Sequence, residues 1–432
     1  MSTPPELRIQ GIYQQRQEGY FMQRVKLAAG VITADQALHV CAIADRFSGG
    51  EVHLTTRGSM ELHWLRMEDL PEVARFLAEA GLTSRGACGG AVRGVTCSTH
   101  GHAGFPVARR LAQRLHSHFT NNPSFEGLPK KFKIAVEAGS AGARHLIQDV
   151  GIVLAGTDGE TGRFDVWTGG GLGRAPAPGF LLAREVSEER VVPIVEGIVR
   201  IYAAHTPPGK RLKHLLAEIG RDRFRDLLEA ETGWSMPELF PDTGSESGVS
   251  ASGACRRLEA RPFAGEIATA NLRKVAECAR RFAGGVMMLT VDQNIALHLV
   301  DEANETEARE ALAAAGFPGT SREERVTFRI CPGSHECRMG LGPTRDIARA
   351  ILERLEPGVE HLAWAISGCH NSCSQPQLAG MGVVISRLAH GEDGERLPRF
   401  DILRSRSGEP FAVVAEENLT LDELLQAVGR RP

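Results

Sequence analysis

The chain has no run of about 18 apolar residues, so no segment reads as a bilayer-spanning helix. Its N-terminus, MSTPPELRIQGIYQQRQEGY, has no apolar stretch of signal-peptide type. Neither sign of charge dominates: 50 Lys and Arg face 53 Asp and Glu, a formal net charge of -3. That balance gives no electrostatic footprint for nucleic acid or an acidic membrane, so any basic site must be a local concentration of charge. A dinucleotide fingerprint is missing as well. The glycine run WTGGGLGRAPAPG has Arg174 where a G-x-G-x-x-G spacing needs its last glycine, and no flavin or nicotinamide motif appears elsewhere. A disulfide framework is also excluded. The nine cysteines are an odd number, in a chain whose expected place is the cytoplasm, where thiols stay reduced. Metal or cluster ligation is the better use for them.

What the chain does have is an internal repeat. ADRFSGGEVHLTTRGSMELHWL (Ala44 to Leu65) aligns without gaps on ARRFAGGVMMLTVDQNIALHLV (Ala279 to Val300). Shared positions include Arg46/Arg281, Phe47/Phe282, Gly49/Gly284, Gly50/Gly285, Leu54/Leu289, Thr55/Thr290, Leu62/Leu297 and His63/His298. Each copy follows an amphipathic helical stretch and precedes a helix that ends at a glycine. A single-register match of this kind points to duplication. With 432 residues available, the fold class is α/β (α+β) with two equivalent halves. The Ser/Gly-rich PDTGSESGVSASGAC marks the linker between them. The expected division is 1–84 and 85–242 for the lobes of the first half, 243–256 for the linker, and 257–322 and 323–432 for the second.

RICPGSHECRMGLG holds Cys331 and Cys337, and AISGCHNSCSQPQ holds Cys369 and Cys373. Structural zinc prefers tight C-x2-C knuckles, and neither pair has that spacing. Thiolates from two loops of a large intracellular protein suit an iron–sulfur cubane, in which each iron takes one thiolate. Zinc and plain buried cysteines remain as alternatives.

The C-x5-C and C-x3-C pairs resemble the signature of the sulfite and nitrite reductase hemoprotein family, and the two-half plan extends the likeness over nearly the whole chain. The resemblance implies a ferredoxin-like lobe and a larger α/β lobe in each half, with a [4Fe–4S] cluster coupled to siroheme, an iron tetrapyrrole carrying eight carboxylates. It implies Cys331, Cys337, Cys369 and Cys373 as cluster ligands, Cys373 as the bridge to the siroheme iron, and Asn371 beside the cofactor. An electron donor, such as ferredoxin or a flavoprotein subunit, follows from the same likeness.

HLTTRGSMELHWL alternates as an extended strand, with His53, Thr55, Arg57, Ser59, Glu61 and His63 on one face. Leu54, Met60, Leu62 and Trp64 fall on the other. Arg57 and His63 suit macrocycle carboxylates, and the repeat supports this because the partner of Arg57 is Asp292. The family has Gln where this chain has Gly58 and Glu61. A Glu61 carboxylate turned to those of siroheme would repel them, so it is expected to be neutral, paired or turned away. The glycine loop, through Gly170 and Gly171, offers backbone N–H groups to an anion or a flat ring.

Matched by local motif, the family's two Arg and two Lys around the substrate anion fall on Arg24, Arg93, Lys131 and Lys133. In LPKKFKIAV an extended backbone points Lys131 and Lys133 the same way and Phe132 into the core. The expected activity is the six-electron reduction of sulfite to sulfide, with nitrite to ammonia second. Lys133 favours sulfite, because plant-type nitrite reductases tend to have Asn there. Two rivals are a precorrin-3B synthase-like monooxygenase and a non-catalytic iron–sulfur relay. Lys133 and Asn371 count against the first, the four cations against the second. Cys88 and Cys97 flank Arg93 and are read as packing residues.

Overall fold

The computed structural model describes residues 3–98, 101–235, 256–356, 362–391 and 393–428. The expected linker lies, up to residue 255, outside the described residues. The first half supplies β1 (Ile12–Gln14), β2 (Tyr20–Val25), β3 (Val31–Thr33), β4 (Glu51–Leu54) and β5 (Met60–Arg66). It continues with β6 (Ile134–Glu137), β7 (Val150–Asp158), β8 (Thr161–Thr168) and β9 (Phe180–Ser187). The second half supplies β10 (Arg257–Ala260), β11 (Glu266–Ala268), β12 (Val286–Leu289) and β13 (Ile295–His298). Its remaining strands are β14 (Phe328–Ile330), β15 (Trp364–Ser367), β16 (Met381–His390), β17 (Arg396–Arg404) and β18 (Val413–Leu419).

These form sheets ordered β1-β2-β5-β4-β11, β10-β13-β12-β3, β6-β7-β8-β9 and β14-β15-β16-β17-β18. The first two are the paired lobes of the repeat, and they are interlocked. β11 of the second half pairs with β4, and β3 of the first half pairs with β12. The exchange makes the two small lobes one packing unit with one core. Helices Ala34–Phe47 and Thr269–Phe282, the expected amphipathic segments, pack together over it. Thr33 opens the first helix with a full capping box to Gln36.

The repeat is visible in backbone detail. Ala29 and Gly30 take positive φ, as do Ala264 and Gly265. A Cβ on Gly30 would lie 2.4 Å from the Leu289 carbonyl oxygen, and one on Gly265 would lie 2.6 Å from that of Leu54. Each glycine therefore permits one half's loop to press against the other half's hairpin.

The stretch read as one continuous strand is instead the hairpin β4–β5. Its turn closes through Thr55 N–H to Ser59 O at 2.9 Å and Gly58 N–H to Thr55 O at 3.1 Å. Thr290 and Asn294 close the equivalent turn in the second half. Arg57 thus sits at a hairpin tip, while His53 and Glu61 face each other across the ladder. The alternation fails again at Trp64. β2 and β5 slip register there, Trp64 has φ of 65°, and Leu65 takes the core side in its place. Trp64 lies half-buried, edge-on to Tyr20. A bulge inserts one residue, and every side chain beyond it changes face.

The larger lobes share a plan. β6 runs parallel to β7, with β8 and β9 antiparallel, under helices Phe105–Phe119, Glu188–His205 and Leu212–Thr232. β14, β15 and β16 run parallel, followed by antiparallel β17 and β18, with helices Thr344–Arg354 and Leu421–Val428 completing that core. Among the described residues no helix is long and apolar enough to cross a membrane.

Candidate functional site

Two cysteine pairs meet because their loops leave adjacent parallel strands. Cys331 follows β14 and Cys369 follows β15, and strand pairing sets the loops side by side. The Gly368 N–H donates to Cys331 Sγ at 3.1 Å, and the Leu341 N–H to Gly368 O at 2.8 Å. Gly368 must be glycine, since a Cβ there would approach Gly333 Cα to 2.8 Å. Burial pushes the Cys331, Cys337 and Cys369 thiols up, and the nearby Cys373 sulfur pushes each further. The four sulfurs therefore share one neighbourhood. Among the described residues no three His, Cys, Asp or Glu side chains are close enough to hold a single ion. A cubane is larger than one ion and takes thiolates set further apart, which two cysteine loops brought side by side can supply. Asn371 lies beside the Cys369 thiol and opposes the effect of burial on it.

The first half reaches across to these loops. Thr56, at the hairpin tip, donates its hydroxyl to Cys373 O at 2.7 Å, and Gln375 Nε2 donates to Thr56 O at 3.1 Å. Arg16 donates its backbone N–H to Glu336 O at 2.8 Å and its guanidinium to Gly340 O at 2.9 Å, holding the Cys337 loop. The tip therefore delivers Arg57 beside the cysteine loops. There it donates to Gln148 Oε1 at 3.1 Å and Gly94 O at 2.9 Å.

Segment 91–97 runs beside 132–135, bridged at Val92/Phe132 and Thr96/Ala135. This sets Arg93 next to Lys131 and Lys133, with Phe132 fully buried between the lysines. Arg93 donates to the carbonyls of Gly89 at 2.8 Å and Gly86 at 3.3 Å. Lys131 and Lys133 are both half-buried on either side of Phe132. Neither ammonium has a carboxylate partner among the described residues. Both register the Cys373 sulfur, which puts first-half cations against the last cysteine of the second half.

Burial, together with Arg93, Arg24 and Arg211, holds Arg57 down to about 9. Burial also lowers Lys131 to about 8, and Lys133 falls well below the usual lysine range with Lys131, Arg57 and Arg211 adding to the effect. The buried cations thus outnumber the carboxylates among them, Glu61 and Asp149. Left without an anion these groups are pushed toward their neutral forms, and a polycarboxylate macrocycle would restore their charge.

Other expected residues sit differently. Glu61 is ion-paired with Arg24, and its second oxygen lies 3.3 Å from His63 Nε2, so His63 meets Glu61 in this arrangement. The Gly171 N–H is taken by Ala177 O at 2.9 Å, so it is not offered to an anion. Gly170 is glycine for close approach: a Cβ would lie 2.1 Å from Leu146 O. Cys88 is buried within reach of Arg24 and Arg93, whereas Cys97 packs in the lobe core.

Arg211 and Asp149 were not foreseen. Arg211 makes a two-pronged pair to fully buried Asp149, 2.6 Å and 3.2 Å, and Asp149 Oδ2 also accepts the Lys133 backbone N–H at 2.8 Å. In sequence, KRLKHLL looks like an ordinary solvated helix start. Only a lone acid between two apolar strands hinted at a buried partner.

Residues 88–236 match the nitrite and sulphite reductase 4Fe-4S domain, and residues 13–80 with 257–315 match the nitrite/sulfite reductase ferredoxin-like half domain. The chain belongs to the nitrite and sulfite reductase family. The matched segments stop short of the four cysteines, whose assignment rests on the loops described above. An assimilatory ferredoxin-dependent nitrite reductase of Haloferax mediterranei is 30% identical over 91% of this chain and 75% of its own. A ferredoxin sulfite reductase of Mycolicibacterium paratuberculosis is 25% identical over 91% of this chain and 78% of its own. The NirA structure from Mycobacterium tuberculosis superposes with a TM-score of 0.83, covering 98% of this chain and 85% of that one at 22% identity, a likeness of fold. The protein is an oxidoreductase whose cofactors are siroheme and a [4Fe–4S] cluster.

Proposed function

We propose that the protein reduces sulfite to sulfide, and nitrite to ammonia as a second reaction, with electrons delivered by a ferredoxin-type carrier. The observation that carries this reading is the pair Lys131 and Lys133, which have no carboxylate partner among the described residues and are both influenced by the Cys373 sulfur. A small oxyanion is the chemistry such a pair serves. It neutralises charge that builds on oxygen and sits where protons are needed as each oxygen leaves as water. Cys331, Cys337, Cys369 and Cys373 would hold the cluster, and Arg57 with its neighbours would meet the macrocycle carboxylates. When bound, these groups would relay the donor's electrons to the substrate one at a time. Arg93, its guanidinium fixed by loop carbonyls, adds positive potential behind the lysines. The donor is proposed because relatives that match most of this chain are ferredoxin-dependent.

Lys133→Asn tests the reading. Loss of one positioned donor at a developing oxyanion lowers the rate by about 10²–10³. Sulfite reduction should fall by that amount with the siroheme spectrum intact, and nitrite reduction should fall less. Full sulfite activity in the loaded variant would remove the support for sulfite and return a precorrin-3B synthase-like activity to consideration.

A further inference from the structure

Glu61 is the second residue of β5, with a cation or ring nitrogen near each carboxylate oxygen. Oε1 accepts from Arg24 Nε at 2.9 Å and also from Nη2, and Oε2 lies 3.3 Å from His63 Nε2. His53 stands opposite on β4, its ring edge-on to His63 with centroids 5.9 Å apart. The Glu61 side chain is only 6% exposed. Burial alone would favour its neutral form, but Arg24 and the adjacent His63 ring hold it well below the usual carboxylate range. Arg24 is held above its own ordinary value by Glu61 against the opposing effect of burial. Both groups are therefore ions, and they neutralise each other.

Arg24 belongs to the same electrostatic neighbourhood as Arg57 and Arg93, each of which it depresses. Of the cations expected around the substrate, it alone has a buried carboxylate partner among the described residues. Coulomb energy scales with the product of charges, so a unit of positive charge withdrawn from the pocket weakens a doubly charged anion twice as much as a singly charged one.

We propose that Glu61 determines specificity: by pairing with Arg24 it takes one positive charge out of the anion pocket and moves preference from sulfite toward nitrite. The inference rests on the reading of the protein as a sulfite and nitrite reductase. Glu61 acts through Arg24 and is a positioning residue.

The test compares the cofactor-loaded protein with Glu61→Gln and with the double variant Arg24→Gln/Glu61→Gln. Dissociation constants for sulfite and for nitrite are read from siroheme absorption of the resting protein, alongside kcat/KM for each anion. Glu61→Gln frees the guanidinium and should tighten sulfite by roughly tenfold and nitrite by roughly threefold. The double variant removes a neutral pair as a unit and should keep the parent ratio of the two affinities. An unchanged ratio in Glu61→Gln, or a shift toward nitrite, overturns the proposal. Should Glu61→Gln fail to load its cofactors, the double variant decides. A retained ratio supports the proposal, and a selective loss of sulfite affinity, showing that Arg24 already serves the anion, overturns it. If the loaded parent binds neither anion, the reductase reading itself fails and this inference falls with it. Failure of the ratio test alone leaves that reading standing.

Discussion

Lys26 is a lysine that the folded protein should deprotonate between about pH 7 and pH 10.5, where a free lysine stays charged. It lies at the end of β2, only 4% exposed, and its Nζ donates to Val92 O at 3.1 Å. Burial lowers it from 10.5 to about 7, Arg93 adds to the effect and Glu126 opposes it. Between about pH 7 and pH 10.5 the unfolded chain therefore holds a proton that the folded chain releases. Stability must rise with pH across that window, because the unfolded state binds more protons. At about 1.4 kcal/mol per pH unit, the full penalty is roughly 4–5 kcal/mol. It is fully present below about pH 7 and gone above 10.5. Lys26→Met removes the penalty and also the hydrogen bond to Val92, worth about 1 kcal/mol. The variant should be more stable than its parent by about 3 kcal/mol at neutral pH and hold no advantage near the top of the window. Urea unfolding followed by tryptophan fluorescence, run on both proteins across the window, measures the difference. A gain that does not change with pH, or a loss at every pH, would refute a neutral buried Lys26. The residue bears on the site, since its donor shapes the segment that carries Arg93.

Three further outcomes follow from the geometry. Replacing any one of Cys331, Cys337, Cys369 and Cys373 with Ser should abolish cluster and siroheme absorption together; loss of bound zinc with iron unchanged would show that the loops hold another metal. Arg211→Met leaves fully buried Asp149 unpaired and should destabilise by about 3–5 kcal/mol, with much of that recovered in Asp149→Asn/Arg211→Met, as thermal unfolding would show. Gly30→Ala would press a methyl group against Leu289 O where the two halves cross, so it should lower the melting temperature more than Gly49→Ala, whose added Cβ meets nothing within 4 Å.

The amphipathic helices Ala34–Phe47 and Thr269–Phe282, the repeat and the cysteine spacings were all legible in the chain, because each is a local pattern with a local cause. A 3.6-residue period shows which helix face is buried, and a duplicated segment carries its turns and glycines with it. The candidate ligands and cations could be named by residue type and motif. Their company could not. The polar alternation through His53, Arg57 and His63 was real, but a turn and a bulge divide it, and strand period holds no record of either. The exchange of β3 and β11 between halves depends on contacts more than two hundred residues apart. So does the docking of Thr56 on Cys373. Charge pairing was least accessible of all. Glu61 had three open possibilities until folding brought Arg24 opposite it on β2, and the Arg211–Asp149 pair joins residues that no periodicity connects. Sequence determines which groups are available. Only the tertiary structure decides which charges meet and cancel, since that depends on distance and burial in three dimensions.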